Sequence, residues 1–415
     1  MNPEEVKRKA ASGAVRLSSG GPERPLPGLD SFSICPAQLS GTFPADIFEG
    51  IETDVVIGEK QAKDPLTLMV PIFLPGVPFG QVGHNARLGL AYGASLAQTA
   101  FGTGESGAYP EELEICKQFH GKLMASWGPA RFGVTPEYLI RGNAVVVELC
   151  GTGRGSTSGL WRSDRTAQAQ AEMYGIPAGF DWVIPPAHLD MEFPEDLKLH
   201  ISLLRELSDH RIPVIVKLGA ARVHQETRLA VECGADAVWI EALESPLYGA
   251  PDVVVEEVGL PLISVFEPAK KAFEETGARE KGVRLLVSGG ISDGGEVYKA
   301  LALGADAVGV PEGSRVAMGC TEEAQGDCHA GKCHAGIATL DPKLEAKLDW
   351  KAAGKSVANY INALADEVKL LAAACGHTNI HAASVEDLRA LTYDAAAITG
   401  VKLVGYEKSL PMWMH

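Results

Sequence analysis

Cys320, Cys328 and Cys333 fall within fourteen residues of one another, in a segment otherwise built from glycine, alanine and small polar side chains. Thiolates at this density are ligands for a soft metal. An iron–sulfur cluster with three protein ligands and a zinc ion completed by His329 or His334 both suit the spacing. The plainer use of such cysteines is as small buried hydrophobes. Just upstream stand two glycine-rich loops, Ser288-Gly289-Gly290 and Gly309-Val310-Pro311-Glu312-Gly313-Ser314. Exposed main-chain N–H groups in such loops hold phosphate groups, so Ser288, Gly289, Gly290, Gly309, Gly313 and Ser314 are candidate contacts to a phosphate-bearing cofactor. Pro311 removes one donor and the Glu312 carboxylate opposes an anion.

Three further residues are placed for chemistry. Lys217 stands inside the apolar run Pro213-Val-Ile-Val-Lys217-Leu-Gly219, where an ammonium is costly unless an anion or an electron-rich ring receives it. Glu105, in Gly102-Thr103-Gly104-Glu105, is a candidate acid or base, with helix capping as the plainer reading. Arg154, in the loop Cys150-Gly-Thr-Gly-Arg154-Gly-Ser-Thr-Ser-Gly159, offers a guanidinium that clamps a carboxylate through two hydrogen bonds. His188 and Asp190 are weaker candidates, and no metal is assigned to His188.

The elements that must position these residues are legible as alternating strand and helix signals. Short apolar or β-branched runs at residues 70–74, 95–99, 122–126, 145–149, 214–218, 237–240, 285–288 and 307–310 give eight expected strands. Amphipathic segments at 194–210 and 294–303 lie between them, which favours a parallel β/α barrel over a sandwich, with a doubly wound open sheet as the alternative. The chain repeats itself: Cys233-Gly-Ala-Asp-Ala-Val238 and Leu303-Gly-Ala-Asp-Ala-Val308 each end a helix at glycine and enter a strand. We therefore expect an α/β fold in four parts: an irregular N-terminal arm at 1–66, a TIM (β/α)8 barrel at 67–319, a cysteine loop at 320–342 and a C-terminal helical appendage at 343–415. Within the last part, residues 357–374 read as a helix stopped near Cys375-Gly376, and Ser384-Val-Glu-Asp387 reads as a capping box opening another.

Composition narrows the function. At 415 residues the chain exceeds the roughly 250 of a single barrel. A net charge of −16 argues against nucleic acid or an anionic membrane as partner. No run approaches the about 20 apolar residues of a membrane span. Eight scattered cysteines with three clustered fit reduced thiols plus a metal site, so a cytoplasmic protein is expected.

The order of Pro36-Ala-Gln-Leu39, Gly102-Thr-Gly-Glu105, Arg131-Phe-Gly-Val-Thr-Pro-Glu-Tyr-Leu139, Val287-Ser-Gly-Gly290 and Cys328-His-x-x-x-Cys333 resembles the synthase domain of glutamate synthase. The tail, with Val357-Ala-Asn-Tyr-Ile-Asn362 and Ala373-Ala-Cys-Gly-His-Thr378, is most similar to stand-alone subunits of archaeal-type glutamate synthase and N-methylglutamate synthase. That resemblance implies FMN at the top of the barrel and an iron–sulfur cluster on Cys320, Cys328 and Cys333, [3Fe-4S] favoured over [4Fe-4S]. It implies Gly289, Gly290 and Gly313 at the FMN phosphate, Lys217 beside the flavin and Glu105 in proton handling. The implied chemistry is amino-group transfer on a 2-oxo, imino or amino acid, within an oligomer. A glutamine-amidotransferase-like partner is expected, because Met1 is followed by Asn2 and not by a cysteine nucleophile, and with it or in its place a ferredoxin-type electron donor. N-methylglutamate synthesis from methylamine and a non-catalytic scaffold role are the alternatives.

The chain also departs from the family. The family's Gln-Gly-Ala-Lys-Pro-Gly substrate loop aligns with Gly151 to Ser156, so its lysine becomes Arg154. The glycine-rich loop after the sixth strand becomes Ala242-Leu-Glu-Ser-Pro246, Pro78 stands where a serine is usual, and Glu312 replaces a threonine.

Overall fold

The computed structural model describes residues 3–39, 41–150, 154–155, 159–161, 163, 168–321 and 328–408. Eight parallel strands form one sheet: β1 Ile72–Phe73, β2 Ala100–Gly102, β3 Lys122–Trp127, β4 Ala144–Glu148, β5 Val214–Gly219, β6 Ala237–Glu241, β7 Arg284–Ser288 and β8 Ala307–Gly309. From β2 onward each pairs with the next, and β8 pairs with β1 through Val308 and Ile72. The ring closes where Leu74 N–H donates to Ala100 O and Gly102 N–H donates to Leu74 O, both at 2.9 Å. Closure leaves no open sheet edge, which is the barrel's answer to unpaired main-chain groups.

Helices surround the ring: α1 His84–Leu96, α2 Pro110–Phe119, α3 Pro136–Arg141, α4 Pro194–Leu207, α5 Val223–Glu232, α6 Phe266–Thr276, α7 Gly294–Ala302 and α8 Trp350–Ala374. The helix expected in a C-terminal appendage is α8, and it packs between α1 and α7 in the place of the eighth barrel helix. Small residues allow this close approach. A Cβ on Gly354 would lie 2.8 Å from Gly89 O, and one on Gly93 would lie 2.8 Å from Gly354 O. At the other end, Gly294 N–H donates to Glu367 Oε2 at 2.7 Å.

Two local expectations are corrected. Residues 95–99 do not form the second strand: Ser95 and Leu96 complete α1, Gln98 turns the chain at φ 53°, and β2 starts at Ala100. Leu96, Ala97 and Gln98 suit a helix at least as well as a strand. Ser384 does form a capping box with Asp387, yet the turn it opens is a single 3-10 turn, Val385–Asp387. The chain then becomes the strand Leu388–Ala390, which pairs antiparallel with Phe32–Ile34.

The repeated Gly-Ala-Asp-Ala-Val joints have one physical cause. Gly234 and Gly304 take φ 98° and 117°, open to glycine. The aspartate that follows then accepts from the start of the preceding strand: Val214 N–H to Asp236 at 2.8 Å, and Leu285 N–H to Asp306 at 2.6 Å. Each carboxylate also pairs with an arginine, Arg205 and Arg279 respectively.

Inward residues of the ring, among them Phe73, Met124, Val146, Ile215, Trp239 and Leu286, pack with Val55, Ile57, Leu66 and Leu68 of an antiparallel hairpin. The hairpin plugs the end where the strands begin, since Arg284 Nε donates to Val56 O at 2.9 Å. Burying an aliphatic side chain of this kind contributes about 1.5–3 kcal/mol. With the bottom sealed and apolar, the polar inward residues are left at the carboxyl ends. The N-terminal arm is not wholly irregular: it contains the helix Pro3–Ser12 and the strand Leu17–Gly20, which pairs with Leu247–Pro251 above the barrel.

Candidate active site at the carboxyl-terminal mouth

Side chains alternate along a strand, so the residue two places beyond an inward residue also faces inward. Following Val146, Ile215, Trp239 and Leu286, this parity sends Glu148, Lys217, Glu241 and Ser288 into the mouth. Cα register pairs Glu148 with Lys217 and Glu241 with Ser288. The Lys217 ammonium is buried, 2.7 Å from Glu241 Oε2 and 3.6 Å from Glu148 Oε2. It also lies 4.5 Å from the centre of the Trp239 ring, which Phe73 meets edge-on. Trp239 Nε1–H donates to Ser288 Oγ at 2.8 Å. Burial works against the lysine's charge, but Glu148 and Glu241 outweigh it and hold its pKa above the ordinary lysine value. Both the anion and the ring that the sequence demanded are therefore present. Glu148 and Glu241 were not among the expected site residues; only their inward parity at the ends of apolar runs signalled them.

Glu105 lies on the loop after β2. Gly104 takes φ 63°, and a Cβ there would lie 2.5 Å from Pro78 N. Thr103 Oγ1 is 2.5 Å from Tyr138 Oη on α3, a helix opened by Pro136 and capped by Thr135. On the far side Arg87, in a buried pair with Glu112, donates to Ser106 Oγ at 2.6 Å and Gly107 O at 2.9 Å. Clamped from both sides, Glu105 accepts the Ala130 N–H at 2.6 Å and rests on Gly128, where a Cβ would come within 2.5 Å of its Oε1. Removal from water, reinforced by Glu148, pushes its pKa up to about 8 against the pull of Ala130 N–H, Arg131 and Lys217. The structure thus brings Glu105 and Lys217 into one electrostatic group, and Glu105 holds its proton at neutral pH.

Arg131 ties this group together. It takes φ 58° and lies over the Trp127 ring at 3.8 Å. Its Nη1 donates to Gly128 O at 2.5 Å and to His188 Nδ1 at 2.6 Å, and its Nη2 donates to both oxygens of Asp190 at 2.9 and 3.0 Å. With Nδ1 accepting, His188 carries its proton on Nε2 and donates it to Glu148 O at 2.6 Å. Burial drives His188 down to about 4, so it stays neutral. His188 and Asp190 are thereby part of the scaffold behind Glu148.

The sequence matches the family described as the conserved region in glutamate synthase over residues 42–378. The chain belongs to the glutamate synthase family. It is 35% identical to a glutamate synthase large subunit-like protein of Rhizobium meliloti strain 1021, covering 97% of this chain and 93% of that one. An archaeal-type glutamate synthase [NADPH] of Thermotoga neapolitana is 31% identical over 98% of this chain and 81% of its own length. Among solved structures, mandelate oxidase variants share the fold: one with 4-bromo-2-hydroxy-methylphenylacetate has TM-score 0.51 and 18% identity, covering 86% of each chain. Another, with a monooxide FMN adduct, has TM-score 0.52 and 19% identity, covering 86% of this chain and 87% of its own. No helix among the described residues is long and apolar enough to cross a membrane.

Against the glutamate synthase pattern, the remaining expected residues divide. Cys320, Cys328 and Cys333 are all half-buried, and Cys320 and Cys333 pack on the barrel core. Burial raises the Cys328 thiol, Arg315 opposes this, and Cys320 and Cys333 lie close enough to raise it further. Among the described residues no group of three His, Cys, Asp or Glu side chains is arranged to hold a metal ion, and residues 322–327 of the loop lie outside them. In donor chemistry the three neighbouring thiols fit an iron–sulfur cluster. His329 Nδ1 stands 3.2 Å from Ser19 Oγ, and His334 Nε2 stands 3.1 Å from Thr321 Oγ1.

Arg154 is not presented to a substrate. Its buried guanidinium donates to the main-chain carbonyls of Leu243 and Val255, and burial lowers its pKa to about 10. A glycine-rich loop let its main chain settle directly on Gly219, where a Cβ would lie 2.1 Å from Arg154 O. Gly151 and Ser156 of the same expected loop lie outside the described residues.

The residues expected at a phosphate pack closely among their neighbours. Ser288 accepts from Trp239 inside the barrel, and Gly309 is packed by Pro75, Ser288 and Phe73. Gly313 faces the Tyr360 hydroxyl, 2.0 Å from where its Cβ would be, and Ser314 Oγ donates to Pro311 O at 2.8 Å. Gly289 and Gly290 do have the φ values of 124° and 65° that free a main chain for a ligand, but the 242–245 segment lies against both. For FMN, then, the ring end of the site fits, with Lys217 held charged at the mouth, while the phosphate end is crowded and bordered by the Glu244 and Glu312 carboxylates.

Proposed function

We propose that this chain is an oxidoreductase of the glutamate synthase type, acting in amino-group chemistry on a 2-oxo, imino or amino acid. FMN and an iron–sulfur cluster are its proposed cofactors, supported by family membership and by the three neighbouring thiols. Cys320, Cys328 and Cys333 would hold the cluster, which supplies one-electron transfer. The observation that carries the reading is Glu105: a carboxyl with pKa near 8, clamped within the electrostatic reach of Lys217 at the mouth where barrel enzymes work. A protonated carboxyl there delivers a proton to a substrate that gains electrons, and recovers it in the reverse direction. The Lys217 ammonium, braced by Glu148 and Glu241, offers fixed positive charge without changing protonation.

One feature favours amine exchange, with methylamine giving N-methylglutamate, as the second reading. Two carboxylates face one ammonium, and a net acidic mouth suits an alkylammonium cation better than a dicarboxylate. An amidotransferase-like subunit and a ferredoxin-type donor are the proposed partners. Anaerobic assays with reduced donor, 2-oxoglutarate and ammonia, and in parallel with glutamate and methylamine, separate the two readings by product: glutamate in the first, N-methylglutamate and released ammonia in the second. Absence of turnover with any amine, in protein shown to contain flavin and sulfide, supports the scaffold role instead.

A further inference from the structure

We propose that the loops after β7 and β8 do not grip a flavin's phosphate, so that this chain holds riboflavin as tightly as FMN. This rests on the flavin reading above and concerns only its phosphate end.

Acidic or closely packed side chains stand against both loops. Glu244 lies on Gly290, its Cβ and Cγ 3.0 and 3.1 Å from where a glycine Cβ would be. Its two oxygens take the Leu262 N–H at 3.0 Å each, which fixes the carboxylate beside the loop. Gly289 is backed by Ala242 Cβ and Ser245 N, both 3.1 Å from its own Cβ position. In the next loop, Pro311 has no N–H, and Gly313 packs against Tyr360, whose hydroxyl donates to Ser292 O at 2.9 Å.

Beyond Gly290 opens a cavity of about 930 Å³ between these loops and the N-terminal arm. Each of its four basic side chains is already in an ion pair: Lys9 with Glu5 at 3.2 Å, Arg16 with Asp252 at 3.5 Å, Arg24 with Glu257 at 3.2 Å and Arg315 with Glu312 at 3.3 Å. Glu23, Glu244 and Glu256 line the same cavity, leaving it acidic. The arm is built into this arrangement, since a Cβ on Gly21 would lie 2.9 Å from Glu244 O. A dianion entering here meets carboxylates without a spare cation, whereas a neutral ribityl hydroxyl pays no such cost.

The test is flavin titration of the purified full chain, read by quenching of flavin fluorescence, with FMN and riboflavin in parallel. The expected result is equal affinity within about threefold, or tighter riboflavin binding. Glu244→Gln and, separately, Glu312→Gln should each tighten FMN severalfold and leave riboflavin unchanged; glutamine keeps an acceptor for Leu262 N–H. FMN binding more than about tenfold tighter than riboflavin overturns the inference and leaves the flavin reading standing. Equal effects of either substitution on both flavins also overturn it. Binding of neither flavin overturns the flavin reading itself, and this inference with it.

Discussion

The Ala130 N–H donates to Glu105 across 2.6 Å, and the turn that presents it is held by Arg131, whose Nη1 donates back to Gly128 O. A single arginine therefore sets both the hydrogen bond and part of the electrostatic field at the carboxyl proposed to move a proton. Arg131→Ala should raise the Glu105 pKa above its present value near 8, because it removes a charge that lowers it and loosens the Ala130 donor. Carbon-13 NMR titration of side-chain-labelled glutamate reads this directly, and an unmoved titration would show Arg131 to be merely structural.

Glu105 also makes stability depend on pH. Its ordinary value is 4.5 and its folded value is about 8, so between these the unfolded chain releases a proton that the folded chain keeps. Stability attributable to this carboxyl is therefore greatest below pH 4.5 and declines as pH rises toward 8. Relative to the wild type, Glu105→Gln should gain stability across that window. Urea midpoints at pH 5 and pH 8.5 check the sign: the mutant's advantage must be larger at the higher pH.

Lys217 is braced by two acids, and removing it leaves them facing each other. Lys217→Met should destabilise the chain by about 3–5 kcal/mol, the range for breaking one side of a buried pair. Lys217→Met combined with Glu241→Gln should recover part of that loss. Equilibrium urea unfolding of the two variants measures the difference.

The position of α8 makes its small residues indispensable. Gly354→Val would drive a side chain into Gly89 O and the Tyr92 ring, at 2.8 and 2.9 Å from the Cβ alone. A loss of about 2 kcal/mol or more is expected, typical of forced overpacking. If thermal unfolding is unchanged, α8 is not packed against α1 as described.

How far the sequence led varied with the physics of each feature. The later strands were readable because strands buried on both faces carry nearly continuous apolar runs, as in Val214–Gly219 and Arg284–Ser288. Ser95 to Thr99 misled because Ser95 and Leu96 complete the last turn of α1 and Ala97 caps it. Lys217 declared itself as a charge within an apolar run, but its partners did not: Glu148 and Glu241 meet it only through the register of three neighbouring strands. Arg154 was misjudged because a guanidinium can bond main-chain carbonyls as readily as a substrate carboxylate, and nothing local in the sequence distinguishes them. Burial of α8 between α1 and α7 depends on contacts across some 260 residues of chain on the α1 side and 73 on the α7 side.

The cysteine loop yields its own check. Serine at Cys320, Cys328 or Cys333 should each abolish iron and acid-labile sulfide in anaerobically purified protein, while serine at Cys233, buried beside Pro194 at the end of α5, should not. Zinc without sulfide in the wild type would remove the electron-transfer part of the proposal.

The proton-handling role of Glu105 is tested most directly by anaerobic turnover of the cofactor-loaded chain. Oxidation of a reduced donor should require both a 2-oxo acid and an amine, and Glu105→Gln should slow it at least about 100-fold, in the range for loss of a general acid. Turnover by Glu105→Gln equal to that of the wild type would contradict the account.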